Sequence, residues 1–441
     1  MIENVLALVW QLLASGWLAL LDYLAAHVLL CLLPAFFIAG ALSSLIPKET
    51  VTRYLGPRAS KWISYPASAV GGFVLAVCSC TILPLFAGIW KRGAGLGPAI
   101  TFLFVGPAVN ILAIAYTGAA IGMDIALARI LLSVLFGIGI GLIMAWLFGD
   151  KTGVEADAGL FSQQARVRPT IWVLFGLLVG ILVVGTLQVD LLTCTWFSVI
   201  LPIEIPAGLL AWLEGVHLNL QGALLILMLL VIASAAWAGL DRVMKGFNGW
   251  TWAALGLAVV TLLIAAPKVD ISSSLVVGVT GRFLGEVVLV GTVVAVAARG
   301  LERHELALWL WETWKFVKQI FPLLVVGVFG AGMVKVIIPE VWIQTLAGRN
   351  TVWANLVGVL FGVFMYFPTL VEVPIARMFL DLGMHRGPLL AYLMADPELS
   401  LQSILVTSKI LGPRRTWAYV GLVTIFSTLA GYLFGLALAV L

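Results

Sequence analysis

Residues 78–80 read Cys-Ser-Cys, inside the apolar stretch GGFVLAVCSCTILPLFAGIWKRG. Two thiols at this spacing suit a soft or borderline ion. A stable structural zinc site needs four ligands, so Cys78 and Cys80 with one or two further donors describe a transient metal or metalloid site. Cys80 also begins a short helix, where free amides and the positive dipole end favour a ligating thiolate. Ser79 and Thr81 add hydroxyls beside the thiols. The plain alternative is a pair of small buried residues that let helices approach closely.

A second polar set comes late in the chain. YLMADPELSLQS holds Asp396, Glu398 and Ser400, and FPTLVEVPIAR holds Glu372. A carboxylate at membrane depth is costly and normally faces a partner or a wet cavity. Asp396, Glu398 and Glu372 are therefore the expected proton-coupling or cation-binding groups. Asp396 is equally placed to cap a helix continuing after a break at Pro397, and Glu372 to pair with Arg377. Asn110, one turn after Pro107, and Ser400, its counterpart after Pro397, are candidate ligands of a solute or of freed amides. Arg282 and Glu286, four apart on one helix, read as a structural pair. Cys31 reads as core filling and Cys194 as inert. His217, His304 and His385 have no metal spacing. No Walker A pattern is present, so direct ATP drive is not expected, and no cofactor is implied.

The elements that must carry these residues are apolar helices. Of 441 residues, 62% are hydrophobic and 10% charged, with a mean hydropathy of +1.12. Long apolar runs recur from end to end, which defines an all-α polytopic membrane protein. Outer-membrane strands would alternate instead. The first 46 residues show no basic leader or small-residue cleavage site, so a cleaved signal is not expected. The patterning predicts helices at about 26–46, 63–78, 81–90, 96–118, 126–148, 170–187, 221–239, 250–266, 274–298, 319–338, 352–366, 370–382, 387–408 and 416–440. The pairs 63–78 with 81–90 and 352–366 with 370–382 are too short to span singly and read as broken or re-entrant helices. Segment 301–318 reads as an amphipathic interfacial helix. Segment 1–24 is open between a span and a surface helix.

The short pairs recur in register. FIAGALSSLIP (37–47) matches FGAGMVKVIIP (329–339) at an offset of 292, and after a two-residue slip Pro84/Pro374, Gly93/Gly383, Gly97/Gly387, Pro98/Pro388 and Pro107/Pro397 coincide. With the 47–62 loop placed in the cytoplasm, most of the 25 Lys and Arg fall on that side. The positive-inside rule then puts the matching 339–351 loop outside, so the copies are expected to be inverted. The expected organisation is an N-terminal membrane or interfacial helix (1–25), a first permease repeat (26–148), a central linker with additional spans (149–300) and a second, inverted repeat (301–441). Inverted repeats with broken helices place a solute site near the bilayer midplane. Helix rise puts Cys78 about 24 Å, Asn110 about 21 Å and Asp396–Glu398 about 13–17 Å along their helices. These depths bracket the middle of a hydrocarbon core about 30 Å thick. The positions matching the thiols, Pro368-Thr369, carry no sulfur, so a soft site would be asymmetric.

Cys78-Ser79-Cys80, Pro84, Lys91-Arg92-Gly93 and Gly106-Pro107-Ala108-Val109-Asn110 together resemble a family of predicted bacterial and archaeal permeases that includes the organoarsenical efflux permeases (ArsP-like). The resemblance is specific over about 75–112. It implies a multi-pass permease of the plasma (inner) membrane whose substrate, by analogy, is a thiophilic metalloid or metal species. Gly106 replaces the more usual Ala, and 150–300 is a long insert. The expectation is thus a secondary-active permease, an exporter and not an enzyme, whose partners are a small solute and the lipid bilayer, with no nucleic acid and with self-association left open. Two other readings remain: a transporter of a small sulfur-containing or other anion, and a transmembrane thiol-redox enzyme.

Overall fold

The computed structural model describes residues 2–26, 30, 32–46, 48–75, 79–109, 114, 117–118, 120–149, 168–186, 190–201, 206, 208, 213, 215, 218–271, 275–335, 340–364 and 369–440. In chain order the helices begin with α1 (Ile2–Ala26), α2 (Leu33–Ser44), α3 (Lys48–Leu55), α4 (Lys61–Leu75), α5 (Ser79–Lys91), α6 (Leu96–Ala108) and α7 (Met123–Phe148). Next come α8 (Pro169–Thr186), the single turn α9 (Asp190–Thr193), β1 (Thr195–Leu201), α10 (Leu220–Gly239), α11 (Gly249–Ala265), β2 (Lys268–Ile271), β3 (Leu275–Thr280) and α12 (Gly281–Gly300). The chain ends with α13 (Arg303–Lys335), α14 (Glu340–Ala347), α15 (Val352–Phe364), α16 (Thr369–Asp381), α17 (Arg386–Leu399), α18 (Leu401–Leu411) and α19 (Pro413–Val440). Among the described residues five helices are long and apolar enough to cross a membrane, and the bent pair α17–α18 makes a sixth candidate span.

Two compact units divide the chain. The first comprises residues 1–19, 48–164 and 320–441, and the second residues 20–47 and 165–319. Helices α1 and α13 each continue from one unit into the other.

Within the first unit, one arrangement of elements occurs twice. Helices α3, α4, α5, α6 and α7 have counterparts in α14, α15, α16, α17 and α19, of closely similar lengths. In each set the central helix, α6 or α17, packs against the helix two before it and the long helix after it. Helix α6 is buried at every position, and α17 is buried from Gly387 to Leu399. A helix buried on all sides must be apolar all round, and α6 is, with Thr101 bonded to the Gly97 and Gly137 carbonyls.

Details repeat at an offset of 290. Gly93 and Gly383 both turn the chain with positive φ, 87° and 94°. A Cβ on Gly97 would lie 3.0 Å from Gly141 O, and one on Gly387 would lie 2.8 Å from Gly431 O. In both copies the central and long helices therefore touch backbone to backbone, which only glycine permits. Segments 37–47 and 329–339, aligned by sequence, fall in different units.

The second unit joins α2, α8, α10, α11, α12 and the first half of α13. Its core centres on Ala235, Ala236, Val243, Ala254, Leu310 and Trp314. A small antiparallel sheet of order β1-β3-β2 occupies part of the stretch between the helices expected at 170–187 and 221–239, the stretch after that expected at 250–266, and the start of that expected at 274–298. The run Leu275-Val-Val-Gly-Val-Thr is rich in β-branched residues and pairs as a strand. The helix then starts at Thr280, whose Oγ1 accepts from Phe283 N at 3.3 Å.

Two other boundaries differ from expectation. The proposed interfacial helix 301–318 and the span 319–338 form one helix, α13, because Pro322 is absorbed within it. Helix α17 runs through Pro397 and bends by 46° at Ser400, three residues later. Pro397 forgoes the bond to the carbonyl of Leu393, and the helix closes two residues later at Leu399. Helix α1 packs on α13 within the first unit: Ser15 Oγ donates to Gly332 O at 2.8 Å.

Candidate functional site

The buried charges of the first unit converge on its two central helices. Arg129 enters from α7, about 9 Å from the start of that helix by helix rise. It is fully buried, as is Glu372 in the first turn of α16. Arg129 Nη2 lies 3.0 Å from Glu372 Oε1 and donates to Oε2 at 3.1 Å. Its Nε donates to the carbonyl of Ala108, the last residue of α6, at 3.0 Å. The guanidinium thus ties the end of one central helix to the opening turn of a helix in the other copy. The planar fork makes the two bonds from separate nitrogens in a fixed geometry, where an ammonium would have to make both from one point.

Asp396 on α17 is 1% exposed and lies within electrostatic range of both Arg129 and Glu372. Its Oδ1 has no hydrogen-bond partner among the described residues. The position of this acid is set by a bare helix contact: a Cβ on Gly362 of α15 would lie 2.9 Å from Asp396 N. Tyr392, one turn earlier on α17, is buried beside the same charges. The cluster therefore holds one guanidinium against two carboxylates.

Glu398 looks elsewhere. Tyr419 Oη on α19 donates to its Oε2 at 2.5 Å, while Oε1 lacks a partner among the described residues. Tyr419 occupies the position in copy two that Arg129 occupies in copy one, and Glu398 that of Ala108. The same helix contact thus carries an arginine on a carbonyl in one copy and a phenol on a carboxylate in the other. At the bend, Ser400 Oγ donates to Ser403 Oγ at 2.8 Å. Gln402 is 1% exposed, with both amide atoms unpartnered among the described residues.

Of the residues singled out by sequence, Glu372 and Asp396 are brought together, while Glu398 and Ser400 are buried on the same helix pair but face other partners. Thr81 is fully buried on α5. Cys31, Cys78 and Asn110 lie outside the described residues, as do the side chains of Ser79 and Cys80. Two expectations are corrected. Glu372 pairs with Arg129, and Arg377 pairs instead with Asp381 at 3.1 Å, one turn along its own exposed face. Asp396 is not a helix N-cap, because α17 continues past Pro397 to Leu399.

Arg129, Tyr392, Gln402 and Tyr419 escaped the sequence reading. A lone arginine six residues into an otherwise apolar span was the available signal for the first. The copies also meet at Arg386, whose Nη1 donates to Asp124 Oδ2 at 2.6 Å and Nη2 to Ile121 O at 3.2 Å. Among the described residues no group of three or more His, Cys, Asp or Glu is arranged to hold a metal ion.

A helical, multi-pass chain with a duplicated core and a buried ionic cluster is the architecture of a membrane permease. The chain belongs to the predicted permease family ArsP_1, whose model matches residues 14–436. It is 36% identical over 422 residues to UPF0718 protein MJ0584 of Methanocaldococcus jannaschii, covering 95% of this chain and 94% of that protein. No solved structure matches.

Proposed function

We propose that this permease is a secondary-active transporter of the plasma membrane that exports a thiophilic metalloid or metal species in exchange for protons. The observation that carries the reading is the Arg129–Glu372 pair with Asp396 beside it. Burying charge in a lipid-embedded core is expensive and is retained where a solute or proton path needs it. Glu372 balances Arg129. Asp396 has no cation of its own, so it is the group that takes up and releases the coupling proton. When ionised, it competes with Glu372 for Arg129 and loosens the tie between the copies. When protonated, it leaves that tie intact. Glu398, held by Tyr419, is the second candidate for protonation.

Cys78 and Cys80, at the junction of α4 and α5, bind the solute, with Ser79, Thr81, Asn110 and Ser400 as supporting donors. The two copies run in opposite senses through the bilayer, and rocking of one against the other opens the site to alternate sides. Support for opposite senses comes from the distribution of Lys and Arg.

Everted vesicles loaded by a pH gradient test the coupling. Asp396→Asn should abolish solute flux driven by the gradient while leaving solute counterflow. Flux that still follows the gradient in this variant removes Asp396 as the coupling group. Cys80→Ser should abolish transport of trivalent arsenical species at unchanged protein level, and unaltered transport would end the metalloid reading. A second reading, a small sulfur oxyanion, is favoured by Arg129 Nη1, which is buried with no hydrogen-bond partner among the described residues. Proton flux stimulated by thiosulfate but not by arsenite would select it.

A further inference from the structure

The second unit contains a cavity of about 840 Å3, walled by α2, α8, α11, α12 and the start of α13. Its wall is almost wholly carbon. Trp309, one of its lining residues, already donates its one polar side-chain hydrogen to Phe37 O at 2.8 Å. Lining residues run from Val290 on α12 to Leu301, just past its end, a rise of about 16 Å. One leaflet's share of a hydrocarbon core is roughly 15 Å. The space is long enough and apolar enough to take a hydrocarbon chain.

One end of the groove is charged. Arg303 lines it and is exposed. Glu305, half a turn along α13 from Arg303, is held by Arg168, and Asp241 and Glu312 of the same unit are held by Lys318 and Lys315. Among the described residues Arg299 and Arg303 have no ion pair, against Glu302 as the one carboxylate beside them in the same condition. The mouth therefore carries surplus positive charge directly above an apolar slot of leaflet depth.

We propose that the groove is a lipid site that holds one acyl chain of an anionic membrane phospholipid, with the phosphate on Arg303. Charge complementarity sets the headgroup and the length and apolar wall set the tail. A basic side chain at a membrane surface contributes about 1 kcal/mol towards an anionic lipid, about a fivefold preference.

Native mass spectrometry of the full chain in detergent, titrated with phosphatidylglycerol and with phosphatidylcholine of the same chains, tests this. Wild type should retain phosphatidylglycerol about fivefold more tightly, and Arg303→Glu should erase or reverse the preference. Nothing lies within 4 Å of a Cβ built on Gly256, which lines the groove. Gly256→Trp should therefore fill the slot and remove the tight adduct of either lipid. Val294→Trp, at an exposed lining position, is the second filling variant and decides if the first is not monodisperse on gel filtration. Undiminished lipid retention in the filled variants overturns the proposal. So does a headgroup preference that Arg303→Glu leaves intact. A protein adduct that the filling variants abolish would instead assign the groove to a protein partner.

Discussion

Arg129 makes two bonds from different nitrogens, one to a carbonyl on α6 and one to Glu372 on α16. Arg129→Ala strands Glu372 in the core, and removing one partner of a buried pair costs about 3–5 kcal/mol. A thermal-unfolding assay in detergent should register a large loss for Arg129→Ala, and a clearly smaller loss for the double variant Arg129→Gln with Glu372→Gln. Equal losses would mean the pair is not an energetic unit. Arg129→Lys should keep the fold but not transport, because an ammonium keeps the charge and loses the planar fork that fixes both bonds. The carboxylates of this cluster were legible in the sequence because Asp and Glu stand out in apolar runs. Their partner was not. Glu372 has Arg377 five residues away, and local spacing points there, but Arg377 faces outward to Asp381. Only the packing of α7 against the second copy shows that a residue 243 positions away is the true counter-ion.

At the level of elements, glycine placement does most of the work that sequence could reveal. Gly97 and Gly387 were aligned from sequence, and each proves to sit against a glycine carbonyl of the long helix in its own copy. Gly387→Val should separate α17 from α19 and destabilise by about 1–3 kcal/mol, the usual cost of overpacking. It should also reduce transport by displacing Asp396, which the same helix carries. Retained stability and flux would show that the close approach is dispensable. Prolines proved a weaker guide to breaks. Pro397 marks the last turn of α17, but the bend falls at Ser400. Strand β3 was missed because Leu275–Thr280 is as apolar as the helix it leads into, and composition alone cannot separate the two; β1 and β2 are short and lie between expected spans.

For the whole molecule, the repeat is the feature that was both visible in the sequence and reproduced element by element from α3 onward. Its proposed inversion has a direct test. In a chain whose four native cysteines are replaced, Ser60→Cys and Arg349→Cys place single thiols in the matching loops α3–α4 and α14–α15. A membrane-impermeant maleimide should label them from opposite faces of the membrane, and labelling from one face would make the copies parallel. The division into two units was not legible, because a unit assembled from three stretches of chain depends on contacts between distant segments. It leaves both halves of the duplicated core in one body, with Arg129, Glu372 and Asp396 together.

Positions 129 and 419 hold the same place in the two copies, yet one is a permanent base and the other a phenol. Positions 106 and 396 are likewise a glycine and an acid. Glu372 faces Ile82 in the same alignment, so the two copies bring unlike groups to matched positions. One covalent chain lets each half vary without its twin, and the centre of this protein accordingly holds a single neutralised pair and one extra acid in place of a symmetric double set.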